Sequence, residues 1–174
     1  MRPEAFQRPI VLLGDELIAG LDVVRYLPRW PMINKGLSGI GLAELRQRLF
    51  QDVLRLFPDL VLLCAGAHDL RRGRPPEAML GDLENIIERL LGASRPIGLW
   101  LCTIPPLPIA WASAQQVADF NDRLLRLAIV YRLRVLDLSP LPSWSSEEDE
   151  AEASSGEEFY RAWAALIESH LLAL

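Results

Sequence analysis

The sequence is poor in the residues that mark several specialised classes of protein. Among its 174 residues there are only two cysteines, Cys64 and Cys102, and each lies in an apolar run. Their spacing is nothing like that of a zinc site, so we expect buried, reduced thiols in a cytoplasmic protein. No apolar run reaches the ~18 residues that a membrane-spanning helix needs. The first residues also lack the apolar core of a signal peptide, and we expect neither membrane insertion nor export by that route.

Positive charge is limited as well, because Lys35 is the only lysine and every other basic residue is an arginine. These arginines form no extended basic face, so nucleic acid is not an expected partner. The formal net charge is −5, and seven acidic residues with no basic residue among them lie between Glu147 and Glu158. Removing those seven charges from the total leaves +2. The acidity therefore belongs to one segment, residues 143–158, which we expect to be a mobile loop.

Five apolar, β-rich runs alternate with stretches of helical periodicity. The predicted strands are Pro9–Leu13, Pro31–Asn34, Asp59–Ala65, Ile97–Thr103 and Arg134–Leu138. The predicted helices are Leu42–Phe57, Pro75–Ala93, Ala114–Arg132 and Glu157–Leu174. This alternation predicts parallel strands joined by right-handed crossovers. We therefore expect a single α/β domain, residues 1–174, folded as a three-layer α/β/α sandwich with a five-stranded parallel sheet of flavodoxin-like order. Sites in such sheets form in the loops that leave the carboxyl ends of the strands.

Short motifs in those loops, together with their order and spacing, resemble the SGNH hydrolases, also called the GDSL esterase and lipase family. The motifs are "LLGDELIAG", "INKGLSGIGLAEL", "LLCAGAHDL" and, in the last helix, "EEFYRAWAALI". The resemblance implies the flavodoxin-like fold and an esterase mechanism in which a serine attacks the ester carbonyl. It also implies a histidine from an Asp-x-x-His motif as the base, and glycine and asparagine donors for the oxyanion.

The chain departs from the family pattern at most of the implied catalytic positions. Glu16 stands at the nucleophile position, and His68 stands where the family has its asparagine, whereas Gly39 matches the oxyanion glycine. The Asp-x-x-His motif would fall near Ala151 and Ser154, and no histidine lies between His68 and His170. An enzyme with a serine triad loses most of its rate when any one member is removed. The resemblance therefore predicts a degenerate hydrolase in which the family mechanism cannot run as such.

Other chemistry in the same cleft is conceivable. Glu16 and His68 could act as base or nucleophile, with Gly39 as oxyanion donor, in a hydrolase that attacks ester bonds with rebuilt chemistry. Asp15, Glu16 and His68 could form a metal site. We instead expect structural roles for these acids and no metal or cofactor, and we expect Ser38, beside Gly39, to be an ordinary turn residue.

The loop after His68 suggests binding rather than catalysis. It carries Arg71, Arg72 and Arg74 at the carboxyl edge of the third strand, and Trp111 lies in a neighbouring proline-rich loop. These side chains could pair with the acidic segment, or they could bind an anionic small ligand or a protein partner. The hypothesis favoured by the sequence is therefore a binding or scaffold module that uses the former active-site rim. The apolar final helix could also supply the face of a homodimer.

Overall fold

The computed structural model describes residues 6–144 and 153–174, with side chains from residue 156 in the second range. Five parallel strands form one sheet in the order β2-β1-β3-β4-β5, which confirms the expected flavodoxin-like order. The strands are β1 (Ile10–Gly14), β2 (Met32–Gly36), β3 (Leu60–Cys64), β4 (Gly98–Cys102) and β5 (Arg134–Leu136). Val11 of β1 lies between Ile33 and Val61 in the sheet register, so β1 occupies the interior beside β3.

Helices cover both faces of the sheet. The helices are α1 (Glu16–Ala19), α2 (Val23–Tyr26), α3 (Leu42–Asp52), α4 (Ala67–Arg71), α5 (Pro76–Leu91), α6 (Ala114–Val130) and α7 (Ala153–Leu172). Helix α5 packs between α3 and α6, and α2 packs against α7. Right-handed crossovers place α3, α5 and α6 on one face of the sheet and α2 and α7 on the opposite face. Covered on both sides, β1 and β3 are buried at every position, which explains their unbroken apolar runs.

Two expectations about the elements were wrong in detail. The helix predicted over Leu42–Phe57 ends at Asp52, and a single 3₁₀ turn follows at Leu54–Leu56. Phe57 then adopts a left-handed conformation with φ of 49°. Proline disfavours the α conformation in the residue before it, so Pro58 prevents the helix from continuing through Phe57. The short helices α1, α2 and α4 were also missed, because four or five residues carry too little periodicity to be recognised.

The final helix buries its apolar stripe in the core of its own chain. Phe159, Trp163, Ile167 and Leu171 follow one another at four-residue intervals, and all four side chains are fully buried. Helix α7 therefore does not offer this stripe to a second copy, contrary to the dimer hypothesis drawn from the sequence. The expectation of buried thiols is confirmed for both cysteines, which are free. Across the described ranges, we find no helix with both the length and the apolar character needed to cross a membrane.

Gly14 allows β1 to approach β3 closely, and it provides a test of the packing. A Cβ atom on Gly14 would lie 1.9 Å from the carbonyl oxygen of Cys64 and 2.6 Å from Cγ1 of Ile18. We expect Gly14→Ala to lower the free energy of unfolding by about 1–3 kcal/mol or more, because the backbone must move to admit the methyl group. Urea denaturation measures this change.

The matched control is Gly81→Ala in α5, where an added Cβ would meet no atom within 4 Å. Removing glycine from a helix interior stabilises a protein by roughly 0.5–1 kcal/mol. The two substitutions should therefore shift the urea midpoint in opposite directions. Equal shifts would contradict the close approach of β1 to β3.

Candidate functional site

The carboxylate of Asp15 organises the loops at the carboxyl ends of β1 and β3. Asp15 caps the start of α1, where its Oδ1 accepts the N–H of Leu17 at 3.2 Å. Its Oδ2 accepts the N–H groups of Gly66 at 2.9 Å and His68 at 3.2 Å. The side chain is fully buried. One carboxylate thus joins the first turn of α1 to the loop that precedes α4.

The position of α4 depends on Gly66, which lies between β3 and that helix. Its φ of +125° favours glycine, and an added Cβ would lie 2.9 Å from the ring of Phe120. Glycine therefore lets the chain turn tightly against α6. This turn brings His68, in the first turn of α4, next to α1.

Glu16, His68 and Gly39 meet in the cleft above the sheet. The Oε1 atom of Glu16 lies 2.5 Å from Nδ1 of His68 and accepts the N–H of Gly39 at 3.1 Å. The Glu16 and His68 side chains are each 11% exposed. The second oxygen of Glu16, Oε2, is occluded and has no hydrogen-bond partner among the described residues. The structure therefore brings together the three positions that the resemblance assigned to the nucleophile and the oxyanion donors.

Electrostatics in this cleft are dominated by two adjacent carboxylates. Burial raises the pKa of Asp15 from 3.8 to about 7, and the charge of Glu16 adds to the increase. The three N–H groups that Asp15 accepts act in the opposite direction, because they favour the ionised form. The backbone N–H groups therefore offset only part of the unfavourable effect that burial and Glu16 have on the ionised form of Asp15.

The metal site considered for Asp15, Glu16 and His68 does not fit this geometry. Both oxygens of Asp15 accept backbone N–H groups, and Nδ1 of His68 faces Glu16. These donors and acceptors would have to be released before the side chains could converge on an ion. No group of three or more His, Cys, Asp or Glu side chains suited to a metal ion occurs in the described parts of the chain.

Asp69 and Arg74 have structural partners. Asp69 accepts the N–H of Leu42 at 2.9 Å and so holds the start of α3. Arg74 lies 3.0 Å from Asp69 and 2.6 Å from Asp82, and it also donates to the carbonyl of Ala78. Arg74, expected at the binding rim, therefore connects α4 to α5 through its own ion pairs.

Trp111 lies beneath the rim rather than on its surface. It is 6% exposed, and the guanidinium carbon of Arg71 lies 4.2 Å from the centre of its ring. Trp111 also packs edge-on against Trp144, whose Nε1 donates to the hydroxyl of Tyr160 at 2.9 Å. Sequence reasoning missed this link between Trp144 and Tyr160, because no local pattern relates aromatic residues so far apart in the chain.

One alternative left open by the sequence was a pairing between the rim arginines and the acidic segment, and the described residues contain no such pair. Arg72 lies 3.6 Å from Glu44 of α3. Glu157, at the end of the acidic segment, pairs instead with Arg25 and Arg161. Residues 145–152, which carry five of the acidic side chains, lie outside the described residues, as does Ala151 of the expected Asp-x-x-His position. The side chain of Ser154 also lies outside them.

No serine is paired with His68 in the described cleft. Within the described side chains, the hydrogen bond that joins a serine hydroxyl to a histidine ring is between Ser169 and His170, at 3.4 Å on α7. The ring of His170 packs edge-on against Trp100 of β4, away from the cleft. Ser38 is exposed in the loop after β2, as expected for a turn residue.

The charge of Glu16 can be tested through the titration of Asp15. We expect Glu16→Gln to lower the pKa of Asp15 below about 7, because a negative neighbour that disfavours ionisation is removed. A ¹³C NMR titration of the Asp15 carboxyl carbon measures this shift, with Glu77→Gln on the exposed start of α5 as control. An unchanged titration in Glu16→Gln would show that the charge of Glu16 does not act on Asp15.

A stability measurement gives a second readout of the same coupling. A folded-state pKa above that of the unfolded chain stabilises the protein at low pH, and this contribution is lost as the pH rises through about 7. Glu16→Gln should therefore show a smaller loss of stability than the unsubstituted protein between pH 4 and pH 7. Urea denaturation across that range measures the difference.

Comparison with known proteins agrees with this arrangement of strands and loops. The GDSL-like lipase/acylhydrolase family matches residues 12–169. An arylesterase from Vibrio mimicus is 30% identical over 56% of this chain and 56% of its own length, so the match spans little more than half of that relative. A GDSL-like lipase from Bacteroides thetaiotaomicron is 20% identical with a TM-score of 0.79, covering 96% of this chain and 89% of that one. A lipase/acylhydrolase from Enterococcus faecalis is 21% identical with a TM-score of 0.72, covering 95% of each chain. These structural likenesses concern the fold, and together with the family match they show that the chain belongs to the GDSL-like lipase/acylhydrolase family.

Proposed function

We propose that this member of the family does not hydrolyse esters by the serine mechanism and acts as a binding or scaffold module through the rim of the former active site. The observation that carries the proposal is the carboxylate of Glu16, whose Oε1 accepts the N–H of Gly39 and lies against His68. A carboxylate oxygen therefore occupies the place in which the family resemblance would put the oxygen of a substrate.

This occupancy opposes ester hydrolysis for an electrostatic reason. An oxyanion pocket accelerates acyl transfer because its donors are positioned in advance and are free when charge develops on the substrate. Here the N–H of Gly39 already donates to Glu16. A developing oxyanion would meet a carboxylate at that point, so the interaction would be repulsive. Replacement of the serine by Glu16 also removes the hydroxyl that would attack.

Two exposed arginines of the rim, and an exposed apolar side chain in the loop of Trp111, support binding. The Arg72 side chain is 61% exposed, and Arg71 is exposed and stacked on Trp111. Ile109, in the same loop as Trp111, is 84% exposed. Stacking restricts the Arg71 side chain before a partner arrives, which lowers the entropy lost on binding. The partner chemistry that fits is an acidic protein segment or a small anion.

A second candidate function is a hydrolase that acts on ester bonds through rebuilt chemistry. The observation in its favour is the 2.5 Å distance between Oε1 of Glu16 and Nδ1 of His68. A carboxylate in this position orients an imidazole so that its other nitrogen can take a proton from water. In this candidate Glu16 is the orienting group and His68 is the general base.

Hydrolysis of p-nitrophenyl acetate separates the two candidates. We expect the protein to release p-nitrophenol no faster than Glu16→Ala, and neither to exceed the buffer rate, because no nucleophile faces a free oxyanion donor. Absorbance at constant pH measures the release, and Ser38→Ala controls for the serine nearest the cleft. Turnover that is lost in both Glu16→Ala and His68→Ala would overturn the first proposal in favour of the second.

The occupancy of the pocket by Glu16 can be tested with a small carboxylate. Glu16→Ala removes an oxygen that has no hydrogen-bond partner, and it frees the N–H of Gly39. We expect acetate to raise the thermal midpoint of Glu16→Ala, since a ligand at ten times its Kd stabilises the folded state by about 1.4 kcal/mol. The unsubstituted protein should not respond, because its own carboxylate fills the position.

Sodium chloride at equal ionic strength is the control for a general salt effect. Glu77→Ala, which removes an exposed carboxylate outside the cleft, is the control for loss of charge. An equal response to acetate in all three proteins would contradict the occupancy.

A further inference from the structure

The outer face of α6 combines apolar and charged side chains that the described part of the chain leaves uncovered. Three large apolar residues are exposed there: Leu125 at 40%, Ile129 at 77% and Val130 at 70%. The opposite side of the helix packs into the core through residues such as Phe120 and Leu124. Exposed apolar residues concentrated on one helix indicate an interaction surface more strongly than scattered ones do.

The charges on this face are arranged by sign along the helix. Asp119 pairs with Arg123 one turn later, at 3.0 Å. Asp122 and Arg126 stand in the same relation, but neither forms an ion pair within the described residues. The uncompensated negative charge thus lies toward the amino end of the face and the uncompensated positive charge toward its carboxyl end.

A groove runs along the same face between α5 and α6. It holds about 410 Å³, and its apolar wall is formed by Leu80 of α5 with Leu127 and Val130 of α6. Asp122 and Arg126 also line it. The face therefore contains projecting side chains, a depression beside them and both signs of charge.

We propose that this face pairs with the same face of a second copy, with the two α6 helices antiparallel across a two-fold axis near residue 124. An axis there sets Asp122 opposite Arg126 of the second copy, and Arg126 opposite Asp122, so both unpaired charges are matched. It also sets the small side chain of Ala118 opposite the exposed Val130. A two-fold interface needs such self-complementarity, because each copy presents the same surface.

A second copy fits this face better than an unrelated protein does, because the charge pattern of α6 matches itself when the two helices run in opposite directions. An acidic or a basic partner would match only one of the two unpaired charges and would repel the other. The contact is a single helix pair, which buries less than the roughly 1,200 Å² of a standard interface. We therefore expect a weak dimer whose population rises with protein concentration.

Two charge reversals test this pairing directly. With D122R both unpaired positions are positive, and with R126E both are negative, so each variant should be monomeric under conditions in which the unsubstituted protein dimerises. An equimolar mixture of the two should dimerise again, because each charge then meets its opposite. Sedimentation velocity over a series of concentrations measures all three samples, and we expect each single variant to weaken self-association by about tenfold or more.

The double variant D122R/R126E should recover self-association, because both charges are exchanged in the same chain. R161E on α7 is the matched control, since it also creates a pair of exposed like charges four residues apart, with Glu157, but outside α6. A protein that stays monomeric at every concentration would overturn the proposal and leave the face to another partner. A dimer that D122R and R126E do not weaken would also overturn it. The same holds if the two single variants fail to associate when they are mixed.

Discussion

The carboxylate of Asp15 is the constraint on which the candidate site depends. It accepts N–H groups from Leu17, Gly66 and His68, and so it fixes the start of α1 against the loop that leads into α4. Three hydrogen bonds to one buried carboxylate offset part of the cost of removing its charge from water. The offset is incomplete, because burial and Glu16 still raise the pKa of Asp15 to about 7. Ionisation of the buried Asp15 is therefore unfavourable, and the packing of the rest of the fold must offset that free energy.

Glu16 occupies its position as a consequence of that anchor. Asp15 caps α1, so the next residue begins the helix at the mouth of the cleft, facing the loop of Gly39 and the first turn of α4. A short polar side chain there would leave the N–H of Gly39 free, whereas the longer Glu16 reaches it. The fold does not depend on which of these occurs, since its core lies in the buried strands and in the stripes of α6 and α7. Family membership and retained chemistry are for this reason separate questions.

The elements predicted best from the sequence are those with a long, uniform pattern. Unbroken apolar strands and amphipathic helices indicate a parallel sheet that is covered on both faces, whereas burial alone is compatible with more than one strand order. The cleft was predicted only as a meeting of Glu16, His68 and Gly39, and the hydrogen bond between Glu16 and Gly39 was not foreseen. That bond depends on the length of one side chain. The burial of Trp111 could not be predicted either, since it requires Arg71 of α4 above it and Trp144 of another loop beside it.

The three arginines that follow His68 differ in how available they are to a partner. Arg74 is held by Asp69 and Asp82, so it fixes the loop and has little charge to offer a partner. Arg71 and Arg72 lie at the surface, where Coulomb attraction acts on any anion that approaches. Deeper in the cleft the carboxylate of Glu16 lies against the N–H of Gly39. An anionic partner attracted by the arginines would therefore be repelled from the position that a substrate oxygen occupies in an esterase. On the proposed function, its binding should stop at the rim.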